Sequence, residues 1–202
     1  MNLAETYDRI AEDWHRDHAS DTWWQEGTNA FITHLPSGGT VLDVGCGSGV
    51  KSKYFLDRGF SVTGIDIAEK LLSIARREAP GGSYRQLSMV DLDQLAETFD
   101  GVFAQASLLH IPKAEAPAVV RKMVERAKPG GHIYLAVKEA REGKPEEAIE
   151  RENDYGYERF FSYYTMAELE RYLTDAGATV VWQSRNPNPS GKTVWLQIIA
   201  KR

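Results

Sequence analysis

With 202 residues, 42% of them apolar and 26% charged, the chain has the composition of one soluble globular domain with a full core. A net charge of −5 lacks the positive footprint needed to grip a phosphate backbone, which argues against a nucleic-acid partner. No apolar run reaches a membrane span and no signal-peptide segment opens the chain; the one cysteine, Cys46, excludes an internal disulfide and a cysteine-rich zinc site, so a cytoplasmic protein is expected.

Residues 1–38 read as a helical cap. Leu3, Tyr7, Ile10, Ala11 and Trp14 repeat at helical spacing, and a second helix is expected over 22–35, stopped by Pro36-Ser-Gly-Gly39. His15 and His18 stand at i, i+3, but no third ligand follows at a familiar spacing, so no metal is expected. The stretch Val41-Leu-Asp-Val-Gly-Cys-Gly-Ser-Gly49 organises the rest. A doubly buried strand runs into a glycine turn and then a helix over 48–57 that buries Val50, Tyr54 and Phe55. The backbone N–H groups of such a turn suit a polar or anionic ligand. The dinucleotide fingerprint Gly-x-Gly-x-x-Gly is not met, because Val50 stands where its third glycine belongs. Asp43 has no task at a nicotinamide site but suits a ligand with a cationic amino group.

The second strand, 60–65, ends in Asp66, where an acid accepts ribose hydroxyls; the helix over 69–79 takes its cap from Asp66 with Glu69. A third strand over 83–87 precedes Asp91. The fourth, 99–104, leads into Gln105-Ala-Ser-Leu-Leu-His-Ile-Pro112, at the sheet edge where reacting groups lie. His110 is the best-placed base there, unless it bonds the backbone and shapes the loop. A helix over 114–127 stops at Lys128-Pro-Gly-Gly131, and a fifth strand covers 132–138. Charges crowd 138–159 and give way to aromatics (Tyr155, Tyr157, Phe160, Phe161, Tyr163, Tyr164), which predicts a lid over 139–164 that docks beside Trp14 and His110. A capping box at Thr165 and Glu168 opens a helix closed by Gly177, and strands 179–184 and 193–200 finish the chain, joined by a turn at 186–191.

Asp43-x-Gly45-x-Gly47-x-Gly49 after an apolar strand closely resembles the first motif of the class I S-adenosylmethionine (SAM)-dependent methyltransferases. Tyr7-Asp8-x-Ile10-Ala11-x-x-Trp14, Asp91-x-x-x-Leu95 and the Lys-Pro-Gly-Gly turn are similar to the same family, and Ser107-Leu-Leu-His-Ile-Pro112, Arg159-Phe-Phe-x-Tyr-Tyr-Thr165 and the Trp195 ending to a subgroup of small bacterial members. The resemblance implies an α/β, Rossmann-like three-layer sandwich forming one domain over 1–202. Its seven-stranded sheet is mostly parallel, with an antiparallel last strand. It implies SAM as cofactor and S-adenosylhomocysteine (SAH) as product, held by Tyr7, Trp14, Asp43, Gly45, Cys46, Gly47, Asp66, Ile67, Asp91, Leu92 and Gln105. In that scheme the Asp91 carboxylate and the Leu92 N–H meet the adenine. His15, Arg159, Phe161 and Tyr164 are the residues expected around a small-molecule acceptor, with His110 as the catalytic candidate. Transfer is an in-line displacement, and a base is needed only for an acceptor protonated at neutral pH. A SAM-binding protein without catalysis, or a nicotinamide-dependent oxidoreductase, remain the alternative readings; a monomer or homodimer is expected.

Overall fold

A computed structural model describes residues 2–151, 155–187 and 193–202. The apolar run before the glycines becomes β1 (Thr40–Val44), flanked in parallel by β2 (Ser61–Asp66) and β4 (Phe99–Gln105). Covered on both faces, β1 needs no polar alternation, which is why its sequence after Thr40 reads as apolar residues broken by Asp43 alone. β3 (Ser83–Gln86) lies outside β2 and β5 (Ala127–Lys138) outside β4, again in parallel. β9 (Val194–Lys201) runs antiparallel to both β5 and β8 (Thr179–Pro187), giving the order β3-β2-β1-β4-β5-β9-β8. The chain works outward in one direction from β1 and in the other from β4. The crevice at their C-terminal ends is therefore the switch point where such sheets bind ligands.

Helices cover both faces. On one, α5 (Ala116–Arg126) and α6 (Met166–Asp175) bury Val119, Val120, Met123, Leu169 and Leu173 against Leu42, Val102, Leu135 and Ile198. On the other, α2 (Gln25–Ile32) and α3 (Val50–Leu56) set Phe31 and Phe55 on Phe103 and Tyr134. α1 (Leu3–His18) lies across α4 (Glu69–Glu78), with Tyr7, Ile10 and Ala11 packed on Ala68, Leu71 and Ile74. Among the described residues, no helix is long and apolar enough to cross a membrane.

Several expectations shift at their edges. The second helix spans only Gln25–Ile32, preceded by a turn through Trp23 and Trp24 and followed by i→i+3 bonds from His34 and Leu35. In α3 the buried residues are Ser52 and Phe55, while the Tyr54 hydroxyl donates to Asn29 Oδ1 at 2.8 Å on the outside. α5 and β5 meet without a separating loop: Ala127 already pairs with Phe99, and the Pro-Gly-Gly stretch is an irregularity inside the strand. The cap of α4 is shared: Asp66 Oδ1 accepts from the Ala68 N–H, as expected, and Asp8 of α1 takes the next donor. Its N-cap residue Ala68 offers no side chain, and the Lys70 N–H in its first turn donates to Asp8 Oδ1 of α1 at 2.9 Å. The charged segment is not all loop. β6 (Glu147–Glu150) and β7 (Arg159–Ser162) pair as an antiparallel ribbon, because Lys138–Glu150, Lys113–Glu146 and Arg151–Glu158 neutralise its charges locally. Of the expected 186–191 turn, Asn186 and Pro187 end β8, and the rest lies outside the described residues.

Candidate active site

A cleft of about 160 Å³ opens at the C-terminal ends of β1, β2 and β4, under α1. Its floor is the glycine turn. Gly45 has φ +74°, and a Cβ there would stand 2.4 Å from Ser107 Cβ, so the turn and the β4 loop can touch only through glycine. Ser107 Oγ seals that contact by donating to the Val44 carbonyl at 2.6 Å. Gly47, at φ +54°, is different: a Cβ there meets nothing within 4 Å. That space belongs to the cleft, which Gly47 lines. Ala106 also lines it, with φ +55° despite its side chain, a strained conformation of the kind that collects at functional sites.

The polar groups of the floor are buried acids. Asp66 spans the turn and the start of α4: Oδ2 accepts from Gly47 N–H and Oδ1 from Ala68 N–H, each at 2.9 Å. Burial pushes its carboxyl above the usual range, opposed by those backbone donors. Asp43, 2% exposed, accepts from Ser52 Oγ at 2.7 Å through Oδ2. Burial pushes its pKa up to about 6. Gln105, from the tip of β4, lines the same cleft with both amide atoms buried and unpartnered. Burial likewise pushes the Cys46 thiol up, so this residue fills the turn as a small apolar group.

The opposite end of the cleft is aromatic and joins three distant parts of the chain. His110 Nε2 lies 2.9 Å from the Tyr7 hydroxyl, and Nδ1 lies 2.8 Å from the Phe160 carbonyl. A carbonyl only accepts, so Nδ1 carries the proton and Nε2 accepts from Tyr7. Burial drives the His110 pKa down to about 4, leaving it neutral. Trp14 meets Tyr7 edge-on at 5.5 Å and carries the Arg159 guanidinium 5.2 Å over its ring. Phe161 packs on His110 at 4.8 Å. The two readings of His110 are thus joined in one residue: it stands at the sheet edge and it bonds the backbone.

Of the residues singled out from the sequence, Tyr7, Trp14, Asp43, Gly45, Cys46, Gly47, Asp66, Ile67, Gln105 and His110 line this one cleft. Others do not. His15 lies half-buried beside the cleft, its Nδ1 3.0 Å from Oγ of the cleft-lining Ser48, and His18, on the same helix face as Tyr7 and Trp14, lines the cleft itself. Tyr164 is fully buried in the core beneath Leu108 and bridges to Glu139, so it has no surface to offer an acceptor. Phe161 and Arg159 form the layer behind Tyr7, Trp14 and His110. Leu92 is a core residue, and Asp91 sits in a 3-10 turn beyond Ser88 and Met89, which form the cleft wall there. Lys51 was not anticipated; the signal was its place two residues past the last glycine, in the first turn of a helix that borders the cleft.

Comparison with known proteins gives the same direction. Residues 41–131 match the family described as a methyltransferase domain. A ubiquinone biosynthesis O-methyltransferase of Pseudomonas paraeruginosa is 37% identical over 105 residues, which are 50% of this chain and 44% of that protein. A similar protein from Dechloromonas aromatica is 36% identical over the same shares. The chain thus aligns with less than half the length of these curated relatives. Among solved structures, the 1,6-didemethyltoxoflavin-N1-methyltransferase of Burkholderia thailandensis superposes with a TM-score of 0.79 at 22% identity, covering 99% of this chain and 87% of that one. The magnesium protoporphyrin IX methyltransferase of Synechocystis PCC 6803 follows at 0.75 and 19%, covering 99% and 98%; at these identities both likenesses speak for the fold. The matched stretch carries Asp43, the glycine turn, Asp66 and Gln105, which together line the cleft, and these likenesses support a class I SAM-dependent methyltransferase.

Proposed function

We propose that this chain transfers the methyl group of SAM to a small-molecule acceptor bound at the Tyr7–Trp14–His110 end of the cleft. The observation that carries the reading is that one continuous cleft runs from the glycine turn to this aromatic wall. Its residues fit the cofactor. Each Asp66 oxygen already accepts one backbone N–H and keeps a second lone pair for a ribose hydroxyl. The open space at Gly47 lets a ligand run against the backbone, and the unpartnered amide of Gln105 awaits polar partners. Bound SAM supplies an electrophilic methyl on a sulfonium. What the chain adds is position and dryness. Holding nucleophile and methyl in line contributes on the order of 7–11 kcal/mol in well-oriented systems. His110, neutral and bonded at both nitrogens, serves chiefly to lock Tyr7 of the N-terminal cap to Phe160 of the β6–β7 ribbon, which we take as the cover over the acceptor. The names of the relatives, which refer to a quinone, a toxoflavin precursor and a porphyrin, support a small organic acceptor without saying which.

Calorimetric titration with SAH, followed by transfer from labelled SAM into a metabolite extract read by mass spectrometry, tests the proposal. SAH should bind, a labelled metabolite should appear, and Asp66→Ala should weaken SAH by at least tenfold, since bonds to a charged acceptor contribute about 1.5–3 kcal/mol each. Tight SAH binding with no labelled product would leave a SAM-binding protein without catalysis.

A further inference from the structure

We infer that the methyl acceptor is an anion, and that Arg159 takes its carboxylate or phosphate-ester oxygens beside Tyr7 and Trp14. The inference rests on the methyltransferase reading above and names the class of substrate for it. Arg159 opens β7 directly behind the aromatic end of the cleft and is 9% exposed. Its guanidinium carbon lies 5.2 Å from the centre of the Trp14 ring and 5.4 Å from that of Phe161, and its charge bears on the Tyr7 hydroxyl. Nothing in the ribbon neutralises it. Glu150 of β6 is its register partner, yet the Glu150 carboxylate turns to Lys138 Nζ at 3.1 Å and to the Tyr163 hydroxyl at 2.7 Å. Glu158, the acid next to it in sequence, pairs with Arg151 at 2.7 Å. Among the described residues Arg159 has no carboxylate within ion-pair distance, and its Nε is buried without a hydrogen-bond partner.

An arginine withdrawn from water keeps its charge, so its burial weighs on the fold until a partner relieves it. The ring faces of Trp14 and Phe161 offset part of the cost, but they offer no acceptor in the plane of the Nε–H. The excess extends to the wall itself. The charges that bear on His110 are Arg159, Lys138 and Glu150, two positive against one negative. SAM adds the positive charge of its sulfonium. A neutral or cationic acceptor would leave this excess standing. An oxyanion meets it, and a planar guanidinium can hold two of its oxygens at once. The acceptor end thus selects by charge, since a ligand without the anion leaves Arg159 buried and unpaired.

The test divides a metabolite extract on an anion exchanger at about pH 8 and incubates each fraction with labelled SAM and the protein. Labelled product should arise from the retained, anionic fraction. Phosphatase treatment of that fraction beforehand should abolish the product if the group is a phosphate ester and spare it if the group is a carboxylate; either result supports the inference. Arg159→Met keeps an apolar stem against Trp14 but no charge. It should lower turnover at limiting acceptor by roughly 10- to 100-fold, through a higher KM, as expected for a lost bond to a charged group. Arg159→Lys should recover part of that loss. Both variants lose some stability with the stacking on Trp14 and Phe161, and SAH affinity within about threefold of the parent certifies the fold. Label arising from the unretained fraction, or an Arg159→Met protein that turns over like the parent, would overturn the inference and leave methyl transfer intact. Equal losses of turnover and SAH affinity in Arg159→Met would overturn it too, making Arg159 a support for α1. No label from either fraction would remove the transfer reading, and this inference with it.

Discussion

At the glycine-turn end of the cleft, the chemistry comes from one contiguous stretch and two strand tips: Asp43, Gly45 and Gly47, with Asp66 and Gln105. At the aromatic end, one hydrogen bond spans 103 residues, from Tyr7 to His110, and the next spans 50, from His110 to Phe160. The first end is set by backbone conformation and by acids at strand tips, so most of its parts are fixed once β1, β2 and β4 are. The second exists only when α1, the β4 loop and the β6–β7 ribbon have all docked. Changes to the first should therefore act on binding, and changes to the layer behind the second should act on folding.

The largest effect is expected where the sequence alone pointed to a substrate contact. Tyr164 is fully buried, with its hydroxyl only at the margin of a bond to the Leu108 carbonyl, 3.5 Å. Truncating so large a core side chain costs about 3–5 kcal/mol, so Tyr164→Ala should lose that much in urea unfolding and loosen the aromatic end as a secondary result. Tyr164→Phe keeps the volume and should stay within about 1 kcal/mol. A Tyr164→Ala protein as stable as the parent, with reduced turnover, would return the residue to the acceptor site.

This contrast also explains what could be read in advance. The strands along the chain, the cradle and the acid at the tip of β2 were legible because each rests on local signals: an apolar run, a glycine spacing, one carboxylate at a strand end. The β6–β7 ribbon was not, because Glu147 and Glu150 look like a solvated run until Lys113, Lys138 and Tyr163 are known to face them. The sequence points to His15 at the acceptor; only the docking angle of α1 decides that His18 faces the cleft in its place. Asp8 reads as part of a motif over the cofactor, yet its carboxylate caps α4, a task invisible without knowing which helix α1 crosses.

A sharper test of the first end uses a matched pair of glycines. Gly47 and Gly59 both have positive φ, +54° and +84°, and at both an added Cβ meets nothing within 4 Å. Valine at either site therefore carries the backbone strain of the left-handed region, roughly 1–2 kcal/mol, with open space around its Cβ. Only Gly47 lines the cleft. Gly47→Val and Gly59→Val should thus lose similar stability, while SAH affinity falls more than 30-fold in the first and stays within threefold in the second. Equal affinities would mean that the open space at Gly47 is not where the cofactor passes.

The smallest effect is one of pH, and it belongs to Asp43. Burial raises its pKa to about 6 in the ligand-free protein, so near pH 6 half the molecules hold a neutral carboxyl there. A ligand ammonium favours the charged form and lowers that pKa in the complex. The sign then follows from linkage: binding releases a proton when the pH lies below the free-state value, so SAH affinity is level above about pH 7 and declines as the pH drops through 6, by at most tenfold per unit. His110, with its pKa near 4, adds no titration in this window. Calorimetry between pH 5 and 8 should show this decline, with proton release on binding below pH 6.5 that is visible as a dependence of the measured enthalpy on buffer ionisation. Asp43→Asn, which keeps the shape and an acceptor for Ser52 but no charge, should bind more weakly at pH 8 and lose the slope. A profile with the same slope in parent and Asp43→Asn would assign the proton to another group and take the ammonium away from Asp43.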